Sequence, residues 1–116
     1  MKLITAQQRK RLIANGEASM MDPNFDAAPV VKLFTPDAQA TWLLSEIDPD
    51  EQDRAFGLCD LGMGTPELGY VSLSELASIR GKMGLPVERD RSFDDQTKFP
   101  MSDYMRFARS SGYIAA

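Results

Sequence analysis

The amino-acid sequence predicts an α+β domain, an antiparallel β-meander of three to four strands with helices packed on one face. Short runs rich in β-branched, aromatic and leucine side chains recur between Val30 and Leu73, separated by turns rich in Pro, Gly and Asp. Helix start and stop signals lie on either side of those runs. The length of 116 residues suffices for one hydrophobic core and is short for two, so residues 1–116 form a single domain.

The first element is a helix from about Ala6 to Asn15. Thr5 is its cap, Gln8 completes a capping box, and Gly16 stands where a C-cap glycine belongs. From Glu17 to Pro29 the composition turns to Asp, Pro, Asn and Ala, which predicts a long surface loop. Val30–Phe34 forms a strand bounded by prolines. Pro36 to Gln39 is the connecting turn, and Thr41 to Glu46 a second strand with Trp42 and Leu44 on one face.

Asp48 to Asp53 make an acidic turn before a third strand, Ala55 to Leu61, in which Gly57 marks a bulge or a close packing neighbour. Gly62 to Pro66 connects it as a hairpin to a fourth strand, Glu67 to Leu73. Ser72 or Ser74 caps a helix running to about Lys82, with Leu76, Ile79 and Met83 on its apolar face and Gly84 at its end. Pro86 to Arg89 returns as a short extended segment, and Asp90 to Lys98 is polar apart from Phe93. A last helix, Ser102 to Ser111, carries Tyr104, Phe107 and Ala108 on one stripe and stops at Gly112.

The formal charge is −4 and the charges are unevenly spread. Met1 to Gly16 holds Lys2, Arg9, Lys10 and Arg11 without an acid, whereas Asp22 to Asp53 holds eight acids against Lys32. An acidic chain does not bind nucleic acid mainly by neutralising phosphates. The acidic stretch is either a solvated region that keeps the chain in solution or a patch that faces a partner. Cys59 is the single cysteine, so no intramolecular disulfide forms, and its apolar neighbours predict an inert thiol. The apolar runs are too short for a membrane span and the N-terminus lacks a secretory core, which predicts a cytoplasmic protein with no membrane association.

With no histidine in the chain, Ser-His, Cys-His and histidine-metal schemes are excluded. Asp48, Asp50, Gln52 and Asp53 follow a calcium loop for three positions, but the glycine and the bidentate glutamate that complete such a loop are missing, and Cys59 stands in the glutamate's place. Gly62, Met63 and Gly64 are followed by Pro66 and Glu67, which fits a hairpin turn rather than a phosphate loop. No metal and no cofactor is therefore expected. Carboxylates remain: Glu46, Asp60, Glu67 and Glu75 could converge, as chance alone allows in so acidic a chain.

A family resemblance rests on Lys32–Pro36, on Thr41 to Leu44 with Glu46, on Phe56-Gly57-Leu58 and on Glu67 to Leu76. Gly84 to Asp90 followed by Phe93 completes it. In order and spacing these motifs resemble the bacterial domain of unknown function 2958, over about residues 3–93, with 94–116 as a C-terminal helical extension. The resemblance implies a setting on plasmids, integrative elements and phages, among accessory genes that handle host defence or transfer. It implies no reaction, and it favours a tryptophan-bearing strand at Trp42.

Three functions follow as expectations. The first is a non-enzymatic protein-binding accessory protein of a mobile genetic element, a host-defence antagonist among the possibilities, contacting its partner through Asp48, Asp50, Glu51, Asp53, Tyr70 and Arg89. The second is a small hydrolase or transferase in which Glu67, Glu75, Glu88 or Asp90 acts as acid or base and Arg89 holds an anion. It requires at least two of those carboxylates in one pocket. The third, a less favoured nucleic-acid-binding role, uses Arg9, Lys10 and Arg11 with Arg106 and Arg109, and requires the first and last helices to be neighbours.

Overall fold

A computed structural model describes residues 3–93 and 99–116. Lys2 and the 94–98 part of the polar stretch lie outside the described residues. The chain forms one α+β domain in the order α1 (Ala6–Met21), β1 (Val31–Phe34), β2 (Thr41–Asp48), β3 (Glu51–Asp60), β4 (Glu67–Ser72), α2 (Leu73–Ser78), β5 (Glu88–Arg89) and α3 (Met101–Ser111). The five strands make one antiparallel sheet ordered β4-β3-β2-β1-β5. It is thus the expected meander, extended by the short returning segment at Glu88–Arg89.

Helix α1 begins as the capping box requires: Gln8 N–H donates to Thr5 Oγ1 at 3.0 Å, and Thr5 N–H donates to Gln8 Oε1 at 2.9 Å. It does not stop at Gly16. The helix runs through Gly16 to Met21, because that glycine is buried against the Ile47 carbonyl and so serves close approach, not termination. The loop expected from Glu17 therefore starts at Asp22, the helix C-cap.

Before β1 starts at Val31, opposite Leu44, the edge of β2 would stand open. Helix α1 closes it: Asn15 Nδ2 donates to the Ser45 carbonyl at 2.9 Å, and Gly16 lies over Ile47. The β2–β3 connection is tighter than the acidic turn predicted over Asp48 to Asp53. Asp50 N–H donates to Asp48 Oδ1 at 2.9 Å, Asp48 pairs with Glu51, and β3 starts four residues earlier than expected, with Glu51 to Asp53 in the strand. Gly57 is the predicted close neighbour, since a Cβ there would meet the Leu43 carbonyl at 1.9 Å.

Alternating side chains divide the core in two. Trp42, Leu44 and Ile47 pack with Leu12, Leu33, Leu73 and Leu76 on one side of the sheet. Leu43 and Leu58, paired across β2 and β3, pack with Met101 and Ala108 of α3 on the other. Helices thus cover both faces, not one as predicted, because both sets of alternate residues in β2 are apolar and each needs a cover. Each fully buried leucine contributes about 1.5–3 kcal/mol.

Two helix details differ from expectation. Helix α2 ends at Ser78 rather than near Lys82, because Asp37 Oδ2 accepts the Met83 N–H at 2.7 Å and folds 81–85 into a turn, leaving Met83 81% exposed. The apolar stripe of α3 is Met101, Tyr104, Met105 and Ala108, while Phe107 is 65% exposed. Gly112 ends α3 in the left-handed region, φ 83°, as predicted.

Candidate functional site

The predicted catalytic carboxylates do not all converge. Glu67 opens β4 on one edge of the sheet, and Glu88 and Asp90 lie at β5 on the other. Four strand spacings of about 4.8 Å separate those edges, so roughly 19 Å lies between them. Glu75 is exposed in the first turn of α2, where its N–H donates to Ser72 Oγ at 3.2 Å. Asp90 is engaged internally: Ser92 donates through Oγ at 2.7 Å and N–H at 2.9 Å, and Lys32 Nζ lies 3.4 Å away. The Ser92 hydroxyl is the main cause that holds the Asp90 carboxyl below its ordinary range.

Arg89, expected to hold an anion or contact a partner, donates through Nη1 to the Leu3 carbonyl at 3.2 Å and stands opposite Leu33 of β1. The two basic helices are also apart. Arg9, Lys10 and Arg11 lie on α1, Arg106 and Arg109 on α3, and those helices cover opposite faces of the sheet. Arg106 is paired with Asp103.

The other candidate binding residues divide into two groups. Asp53 belongs to the fold: Ser72 Oγ donates to it at 2.5 Å, Ser74 N–H at 2.8 Å and Ser74 Oγ at 2.9 Å, which ties β3 to the start of α2. The Ser72 hydroxyl leads the causes that push its carboxyl down. Glu51 is exposed and accepts the Asp53 N–H at 3.4 Å. Asp48 and Asp50, by contrast, line one cavity of about 190 Å³ together with Tyr70.

Glu46 and Phe56, which the sequence did not point to as binding residues, line the same cavity, as do Gly16, Ser19 and Met20 of α1 and Ile47 and Pro49. A register shift between Leu44 and Glu46 places Glu46 opposite Phe56, and Phe56 is opposite Tyr70, so the three form a row across β2, β3 and β4. The rings of Phe56 and Tyr70 are 5.2 Å apart at 60°, and the Arg54 guanidinium sits 3.9 Å from the Tyr70 ring centre. Burial raises the Glu46 carboxyl, the Ser19 side-chain hydrogen bond opposes that, and the Asp26 charge adds to it. No lysine or arginine lines the cavity among the described residues.

A pocket lined by three carboxylates and two aromatic rings suits a cationic side chain. Among the described residues no group of three or more acid, cysteine or histidine side chains has metal-ligand spacing, and no helix is long and apolar enough to cross a membrane. A family model described as "Protein of unknown function (DUF2958)" matches residues 3–115, nearly the whole chain.

The chain belongs to the DUF2958 family. The match extends through α3, past residue 93 where the motifs read from the sequence end. No curated protein and no solved structure matches this DUF2958 member. The signal that could have pointed to Glu46 was a carboxylate closing the strand after the apolar run Trp42 to Leu44, but the bulge that aligns it with Phe56 and Tyr70 left no mark in the sequence.

Proposed function

We propose that this DUF2958 protein is a protein-binding accessory protein of a mobile genetic element that acts by surface contact, and that it receives a basic side chain of its partner at the closed end of the β2–β3 hairpin. The observation that carries the reading is the cavity shared by Glu46, Asp48, Asp50, Phe56 and Tyr70. Glu46, Asp48 and Asp50 line it and no base does so among the described residues, while Arg54 stands over the Tyr70 ring beside it, so an incoming cation is held chiefly by the carboxylates. Arg54 over Tyr70 is an internal instance of the same cation–ring contact.

The mobile-element setting comes from the family resemblance. Within it, antagonism of host defence is the more specific reading, with acidic groups presented where a basic partner surface expects an anion. A carboxylate enzyme is the second reading: Asp90 lines a pocket beside Lys32 in which Glu67, Glu75 and Glu88 take no part.

The test is affinity purification from the natural host, tagged at either terminus in turn, comparing the wild-type chain with an Asp48→Asn/Asp50→Asn variant. A specific protein recovered by the wild type and lost with the variant supports the reading. Equal recovery by both, or no specific protein from either tag position, rejects it.

A further inference from the structure

Strand β4 is the outer strand of the sheet and, among the described residues, pairs with β3 alone. In an outer strand the N–H and C=O groups of alternate residues face away from the sheet, open to another chain. Elsewhere the fold limits such edges. Helix α1 seals β2 through Asn15 and Gly16, and the opposite outer strand, β5, is two residues long. Among the described residues, strand β4 has no such protection. Its register runs without a bulge from Arg54↔Ser72 to Cys59↔Glu67, it contains no proline, lysine or arginine, and Leu68 and Tyr70 are 37% and 58% exposed.

We propose that β4 accepts an extended, basic segment of a partner protein as a sixth strand. This rests on reading the acidic end as a docking site, and Tyr70 is the link, since it belongs to both the open edge and the acidic cavity. Charge selects the occupant. Glu67 stands at one end of β4, and the turn bearing Asp48 and Asp50 lies towards the other. A second copy paired antiparallel would set each Glu67 near the other's acidic turn, with a charge of −4 on each chain. A strand with a lysine or arginine opposite Glu67 and another reaching the acidic turn instead brings the complementary charge, while Arg54 already stands over Tyr70.

The experiment is hydrogen–deuterium exchange on the full chain with three short peptides: alternating Lys-Val, alternating Lys-Pro, which carries the charge but cannot form a ladder, and alternating Thr-Val. The Lys-Val peptide is expected to slow exchange in residues 67–72 by about tenfold or more, the other two to leave it unchanged, and Leu68→Lys to abolish the slowing. If both lysine peptides bind without slowing exchange at 67–72, strand addition is overturned while acidic docking stands. Equal slowing by Thr-Val overturns the basic occupant and counts against the acidic docking reading with it. No slowing by any peptide overturns the proposal, as does slowing that appears with protein concentration alone, which would make a second copy the occupant.

Discussion

Gly16 of α1 rests on the backbone carbonyl of Ile47 so closely that a Cβ at position 16 would stand 2.0 Å from that oxygen. The contact sets how near α1 lies to β2, and with it the position of Ser19 beside Glu46. Gly16→Ala gains about 1 kcal/mol of helix propensity but must push α1 from the strand, an overpacking cost of about 1–3 kcal/mol or more. Net destabilisation is expected in urea unfolding. Gly69→Ala, with no heavy atom within 4 Å of its added Cβ, is the neutral control.

Glu46 couples the cavity to pH. Its carboxyl is raised from the ordinary value of 4.5, chiefly by burial, so the folded chain holds its proton more tightly than the unfolded chain. The stabilisation by this group is complete below pH 4.5 and is lost as pH rises through the higher folded value. Glu46→Gln is therefore expected to raise the neutral-pH melting temperature and to flatten its dependence on pH just above 4.5, measured by calorimetry across that range.

Asp53 acts in the opposite sense. Its carboxyl is lowered from 3.8, first by the Ser72 hydroxyl and then by Ser74, so its contribution is present above pH 3.8 and fades as pH falls through the lower folded value. Asp53→Asn is expected to lower the melting temperature at neutral pH, and the gap from wild type should narrow in acid. It should also speed amide exchange at the start of α2, where Ser74 N–H loses its carboxylate acceptor.

Cys59 is half-buried against the core, and burial raises its thiol above the ordinary 9.0. A disulfide-exchange reagent at neutral pH is expected to label it slowly in the native chain and rapidly once urea unfolds it. Fast native labelling would contradict the packing described for β3.

What the sequence disclosed was local chemistry. Thr5 with Gln8, Gly112 after Ser111, and the β-branched and aromatic composition of Val31 to Phe34 each declare their structure within a few residues. What it concealed depends on distant neighbours. Gly16 reads as a helix end until Ile47 lies against it, and α2 reads as longer until Asp37 takes the Met83 N–H. The strand order places Glu67 and Glu88 on opposite edges, which no spacing reveals. For the site, Asp48, Asp50 and Tyr70 were identifiable as exposed polar and aromatic groups, whereas Glu46 and Phe56 joined them only through the register shift in β2.

The central claim is that carboxylates at the β2–β3 turn meet basic groups of a partner. Zero-length carbodiimide coupling joins carboxylates to lysine amines in direct contact, so host extract treated with the full chain and analysed by mass spectrometry tests it most directly. The account predicts links from Asp48 or Asp50 to lysines of one recurrent protein, reduced by salt and absent in Asp48→Asn/Asp50→Asn. Links concentrated instead at Glu17, Glu75 or Glu88, or scattered without a recurrent partner, would contradict it.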